Sequence, residues 1–331
     1  MRNKITFYQR KSLQKNGSVE IIFNNLRNDI KEDFSIKTKI LKYTSSNIFK
    51  VIYNIFDSIF SQGDINHITG DIQYAAILLK KNKTILTVLD CIYLEKSKGI
   101  KHIIFKYLFL IIPINNSRYI TTISEFSKNS ILKHYPNINK DKIVVIPVSI
   151  SDTFKFKNKK FNNIEPRLLQ VGTNYNKNII NLIKSIKNIK CVLVIIGPLT
   201  SEIYEQLILN NINYENYIDI SESDIIKHYE DCDLVTFVST YEGFGMPIIE
   251  ANTIGRCVIT SNCSSMPEIA NNAACLVDPF SIDSIRDGIL KILNDNTYRE
   301  CLINNGLINS KRYNSRNIHN QYRTLYNNLN E

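Results

Sequence analysis

The sequence predicts an α/β protein of two Rossmann-like, doubly wound domains facing a central cleft. Three observations carry that reading. Short β-rich runs alternate with helical stretches almost throughout. Some strands are apolar at every position, as in VLVII after Cys191, which suits parallel sheets covered by helices on both faces. One polar, aperiodic segment, Ser151–Arg167, interrupts the alternation and reads as a linker. The 331 residues suit two cores better than one.

In the first half, strands are expected at Ile5–Tyr8, Ser35–Leu41, Ile65–Ile68, Thr84–Leu89, Tyr119–Ile123 and Ile143–Ile146. Helical stretches fall at Ile48–Phe60, Lys101–Ile112 and Glu125–Tyr135. In the second half, strands are expected at Leu168–Val171, Cys191–Ile196, Tyr217–Ile220, Leu234–Phe237, Val258–Thr260 and Ala274–Val277. The expected domains are residues 1–158 and 159–312. A last helix, 313–331, carries Tyr313, Ile318, Tyr322, Leu325 and Tyr326 at helical spacing.

An apolar fraction of 44 % is enough for sizeable cores and excludes wholesale disorder. The seven cysteines form no CxxC pair and read as reduced, mostly buried thiols of a cytosolic chain. Histidine and cysteine spacing offers no metal site. No signal peptide is evident, and Ile103–Pro113 is too short to cross a bilayer.

Charge is uneven. Residues 1–160 hold 27 Lys and Arg against 12 Asp and Glu, a net +15, whereas residues 161–331 carry a net −5. A basic half implies an anionic partner. Lys96, Lys98, Lys101 and Lys106 sit beside the apolar run to Pro113. That pattern fits a helix lying on an anionic membrane, or a buried helix with a basic solvated face. No nucleic-acid recognition motif is visible, so nucleic acid is not expected as a partner.

The chemistry concentrates in LVTFVSTYEGFGMPIIEANTIG. A buried strand runs into a loop bearing Glu242, Gly243 and Gly245, and Pro247 suits the first turn of a helix. The N–H groups of Phe244, Gly245 and Met246 would then form an anion site at a helix N-terminus. Glu242 and Glu250 flank it and would accept hydrogen bonds from hydroxyls.

EGFG leading into P-x-x-E, followed by GRCVITSNCSSMPEIANNAACLVDP, resembles the retaining glycosyltransferases of family 4, which have the GT-B fold. Arg256-Cys257 departs from the proline that family prefers. LLQVGTNYNKNIINLIKSIKN resembles the family's first strand and loop of the C-terminal domain. Lys177 matches its diphosphate-neutralising lysine, while Thr173 and Asn176 occupy the candidate positions of the usual arginine. HITGD, TVLDC, TISEFSKNSI and VVIPVSI resemble acceptor-domain segments more loosely. Leu89 stands where many members carry a histidine, and His67 is a candidate substitute; the alternative for His67 is a satisfied histidine at a strand end.

The resemblance implies transfer of a sugar from a nucleoside-diphosphate sugar to a saccharide or lipid-linked saccharide, with retention, no metal and no cofactor. It makes residues 1–158 the acceptor-binding domain and 159–312 the nucleotide-sugar-binding domain. The last helix either crosses back to the first domain or packs on its own. Glu242 would orient the sugar and Lys177 would neutralise the diphosphate. Gly172, Thr173, Phe244, Gly245, Met246 and Glu250 would complete the donor site. His67, Asp90 and Ser124 are the acceptor-side candidates. The implied setting is polysaccharide synthesis in the cytoplasm, peripheral on the inner face of the membrane. The competing readings are a non-catalytic nucleotide-sugar-binding subunit and a GT-B sugar-nucleotide epimerase.

Overall fold

The computed structural model describes residues 2–11 and 18–329. The chain divides into two compact units, Met1–Ser149 with Arg316–Glu331, and Ile150–Ser315.

The first unit begins with β1 (Lys4–Gln9), α1 (Ser18–Ile30), β2 (Ser35–Ile40), α2 (Ile48–Ile59), β3 (Ile65–Ile68) and β4 (Thr84–Thr87). It continues through α3 (Ile92–Lys96), α4 (Gly99–Phe105), α5 (Ile112–Asn115), β5 (Tyr119–Thr122), α6 (Glu125–His134) and β6 (Ile143–Val145). The six strands form one parallel sheet in the order β2-β1-β3-β4-β5-β6. Alternate residues face opposite ways, so the strands feed two cores. Tyr8, Ile68 and Leu86 pack with Val51 and Leu110, whereas Phe7, Ile65 and Ile85 pack with Phe23 and Leu26.

The expected helix Lys101–Ile112 is broken in three: α4, a π-helical turn at Lys106–Ile111, and α5. None of the α4 residues is buried, whereas Leu110 and Pro113 are buried and Phe105, Leu108 and Phe109 pack on the first unit's core, so the buried-helix alternative fails over α4 and holds beyond it.

The second unit runs β7 (Arg167–Val171), α7 (Ile179–Ser185), β8 (Val192–Ile196), α8 (Ser201–Leu209), β9 (Tyr214–Tyr217), α9 (Glu222–Asp231) and β10 (Leu234–Phe237). Then come α10 (Met246–Ile254), β11 (Cys257–Ser261), α11 (Met266–Ala270), β12 (Cys275–Val277), α12 (Ile282–Asn294) and α13 (Asn296–Ser310). Its strands are parallel in the order β12-β11-β10-β7-β8-β9. Leu168, Leu193, Ile195, Leu234 and Ile259 sit at the centre of its core.

β9 lies three residues earlier than Tyr217–Ile220. Ile218 is exposed and Asp219 has a φ of 53°, which ends the strand.

The last helix, α14 (Ser315–Asn327), places Ile318, Tyr322, Leu325 and Tyr326 in the first unit's core. The unit boundary falls at 149/150 rather than 158/159, and the chain returns to the first unit at Arg316 rather than at 313. Hydrogen bonds explain the shift. Ile150 N donates to Tyr313 O at 2.9 Å, Lys157 N to Ile254 O at 3.1 Å, and Asn162 N to Asp233 at 3.0 Å. The polar segment is thereby bound to the second unit. All seven cysteines are free thiols, five of them buried.

Candidate functional site

In open parallel sheets, ligands bind beyond the carboxyl ends of the strands, where the strand order reverses direction. In the second unit that point lies between β7 and β10. The loops that follow these two strands carry Gly172–Lys177 and Val238–Gly245.

The two loops are joined by hydrogen bonds. Thr240 N donates to Asn176 O at 2.8 Å, and Asn178 Nδ2 donates to Val238 O at 3.1 Å and Pro279 O at 2.7 Å. Asn176 Nδ2 donates to Tyr241 O and to Glu242 Oε1, each at 3.0 Å. Lys177 Nζ reaches the same oxygen at 2.7 Å and lies 4.7 Å from the centre of the Phe237 ring. Residues 65 apart in sequence therefore form one ion pair at the switch point.

Glycine has a specific task at two positions. Gly172 has a φ of 86°, and a Cβ there would lie 3.2 Å from Lys177 Cε, against the side chain that reaches Glu242. Gly245 has a φ of 136° and is the N-cap of α10, with no side-chain cap. Pro247 has no N–H and Ile248 N donates to Gly245 O at 3.0 Å, so Gly245 and Met246 carry the N–H groups that an anion could meet at the start of α10. Phe244 turns its ring inward, edge-on to Tyr313 at 5.6 Å. Only its backbone can serve the site. Met246 opens the helix and is half-buried.

Glu250 accepts a 2.5 Å hydrogen bond from Tyr229. The residue is half-buried, and the protein atoms crowding its carboxyl push its pKa up to about 7. The Tyr229 bond and Lys177 oppose that rise. Thr173 donates its hydroxyl to Pro198 O at 2.7 Å, which makes it a strut between loops.

Sequence reasoning missed several supports. Ser264 Oγ accepts from Glu242 N at 3.0 Å and donates to Glu242 O at 2.6 Å, while Ser265 donates to Glu242 O at 2.9 Å and also bonds Phe244 O. The polar run SNCSS after buried β11 was the available signal. Arg256 is buried, donates to Lys157 O at 2.8 Å and Glu230 O at 2.6 Å, and so fastens the polar segment to the unit. Asp233 accepts from Arg167 N at 2.8 Å, from Asn162 N and from Lys159, a structural duty. Among the described residues no cluster of His, Cys, Asp or Glu could hold a metal ion.

In the first unit the order reverses between β1 and β3, and there a cavity of about 660 Å³ opens. Arg10, Asp71, Asp90, Tyr43, Tyr93 and Phe109 contribute to its lining. Arg10 bonds Glu20 at 2.7 Å and Asp71 at 2.9 Å. Asp90 is the acceptor-side candidate that this cavity includes.

His67 and Ser124 require correction. His67 is fully buried, with Nδ1 2.8 Å from Tyr326 Oη and Nε2 2.7 Å from Thr87 Oγ1. Burial, with Arg27 nearby, lowers its pKa to about 3. It is a neutral core histidine tying β3 to α14. Ser124 is buried as the N-cap of α6, accepting from Ser127 N at 3.0 Å.

Comparison with known proteins agrees with this geometry. Residues 151–307 match the family model of glycosyl transferases group 1. The chain is 34 % identical over 115 residues to O-antigen chain mannosyltransferase B of Escherichia coli, covering 35 % of this chain and 30 % of that protein. It therefore spans less than a third of that relative's length. Over 287 residues it is 28 % identical to the capsular polysaccharide biosynthesis glycosyltransferase CapM of Staphylococcus aureus, covering 76 % and 72 %. The fold resembles sucrose-phosphate synthase from Thermosynechococcus elongatus, with a TM-score of 0.81, 14 % identity and 99 % of each chain covered. It also resembles Anabaena HepE, solved in complex with UDP and glucose, with a TM-score of 0.80, 12 % identity and coverage of 98 % and 100 %. The match to the group 1 glycosyl transferases thus covers most of the second unit, and the chain has the GT-B fold of two Rossmann-like α/β domains.

Proposed function

We propose that this chain transfers a sugar from a nucleoside-diphosphate sugar to a saccharide or lipid-linked saccharide in cell-surface polysaccharide synthesis. The observation that carries the reading is the 2.7 Å Lys177–Glu242 pair beside the uncapped start of α10, at the switch point of a Rossmann-like sheet. The names of the O-antigen and capsule relatives support it, as does the UDP and glucose bound by HepE.

The donor diphosphate lies against the N–H groups at the start of α10, with the Lys177 ammonium countering the charge that grows as it leaves. Glu242, fixed by Lys177 and Asn176, accepts from hydroxyls of the transferred sugar. Glu250 accepts from the ribose. The bond from the anomeric carbon to phosphate oxygen breaks, the bond to the acceptor oxygen forms on the same face, and the acceptor proton passes to the leaving phosphate. This route retains configuration and draws on no metal. Asp90 and the first unit's cavity receive the acceptor. The chain works in the cytoplasm against the inner face of the membrane; among the described residues no helix is long and apolar enough to cross one.

A thermal-shift screen with UDP-, GDP-, ADP- and dTDP-sugars identifies the donor, and transfer is then measured on the hits. Glu242→Ala and Lys177→Ala are each expected to lower kcat by about a hundredfold or more while the fold is kept. Full activity in either variant sinks the assignment. One observation favours a second reading, a binding subunit without turnover: Asn176 stands where a second cation would help the diphosphate leave. That reading predicts donor binding with neither hydrolysis nor transfer.

A further inference from the structure

α2 is apolar on two sides. Val51 and Ile55 are buried, with Asn54 and Ser58 beside them. The opposite side bares Phe49, Ile52, Tyr53 and Phe56, continued by Phe60 just past the helix end. Phe49 is 80 % exposed and Phe60 86 %. A helix face that meets only water carries polar residues, and a contiguous apolar stripe marks an interaction surface.

α4 repeats the pattern. None of its residues is buried; Ile100 is 76 % exposed, and Ile103, Ile104 and Tyr107 of the π turn are exposed as well. α2 and the π turn that follows α4 meet at the turn Gln73–Leu78. Tyr74 Oη accepts from Asn54 of α2 at 3.1 Å, and its ring lies edge-on to Phe109 of the π turn at 5.3 Å. Tyr43, just before α2, and Phe105 and Phe109 line the same cavity.

Charge selects the occupant. Residues 37–60 and 93–112 carry eight lysines and two carboxylates. Both carboxylates are already paired, Asp57 with Lys39 at 2.7 Å and Glu95 with Lys133 at 3.0 Å. A second copy of this chain would set lysines against lysines. An anionic lipid surface would satisfy both the lysines and the apolar stripes.

We propose that α2, together with α4 and the π turn, seats the first unit on an anionic lipid bilayer, with the phenylalanines and isoleucines among the acyl chains and the lysines at the headgroups. The footing is independent of transfer. Where the proposed reaction also holds, it brings the flanked cavity to the headgroup layer, where a lipid-linked acceptor presents its saccharide.

The test uses the full chain, sedimented with vesicles of phosphatidylcholine alone and with vesicles that also contain phosphatidylglycerol. Binding is expected only with phosphatidylglycerol, and it weakens as salt rises. The combined variant Phe49→Ser, Phe56→Ser, Phe60→Ser is expected to bind about tenfold more weakly or worse. Its melting temperature and its donor-induced thermal shift should be unchanged, because these side chains face water and lie outside the donor site. Failure to bind phosphatidylglycerol vesicles at low salt overturns the proposal. So does parental affinity in the variant, or a dimer in sedimentation velocity that the variant dissociates. Vesicle binding without any donor response leaves the footing standing and removes the transferase reading instead.

Discussion

Glu250 is the residue whose surroundings make the sharpest demand. Its carboxyl titrates near 7 because protein atoms crowd it, despite the Tyr229 hydroxyl and Lys177 favouring the charged form. An acid with a raised folded pKa stabilises the fold fully below its unfolded value of 4.5, and that stability is lost as pH rises through about 7. Unfolding free energy should therefore fall relative to Glu250→Gln between about pH 5 and pH 8, by on the order of 1–3 kcal/mol. Donor affinity should move the opposite way, rising with pH as the ribose-accepting carboxylate forms. Calorimetric titration at several pH values in both proteins checks this: a pH-independent parent affinity would remove Glu250 from donor binding. His67 shows the contrary case. A histidine reads the same in sequence whether it faces a cleft or a core, and only its bonds to Tyr326 and Thr87 decide.

At the scale of elements, the loop from β10 into α10 was the most legible part of the chain. Glycine, proline and a buried strand are local signals, and local signals survive without tertiary context. Gly245 is its tightest point: a Cβ there would meet Ile248 Cδ1 at 3.0 Å, on a backbone with φ of 136°. Gly245→Ala should cost about 1–3 kcal/mol in stability. It should also weaken donor binding by displacing the start of α10. Chemical unfolding and donor titration on the same variant check both effects, and unchanged affinity would show that the helix start does not hold the anion. The partners of Glu242 were not legible. Asn176, Ser264 and Ser265 reach it across 22 to 66 residues of sequence, and no periodicity encodes such a meeting. α4 was legible as apolar and basic, but its exposure depends on what the sheet and its neighbours leave uncovered.

At the scale of the molecule, α14 closes the first unit although the chain reaches it last. Ile318, Tyr322, Leu325 and Tyr326 are buried against Phe7, Phe23 and Leu26. Four such side chains at about 1.5–3 kcal/mol each contribute as much as the whole net stability of a domain. A chain ending at Ser315 should therefore lose the folded first unit. Near-UV circular dichroism and limited proteolysis check this, and a first unit as protease-resistant as in the full chain would count against it. The sequence by itself determined the α/β class, the positions of most strands and the motif at Tyr241–Glu250. Alternation and glycine–proline punctuation are written over a few residues and answer to short-range sterics and hydration. Only the tertiary structure decided that Lys177 pairs with Glu242, that His67 belongs to a core, where the first unit ends and which helix faces stay bare. Each of these depends on which distant segments the two sheets bring together, and long-range packing leaves no local trace in the chain.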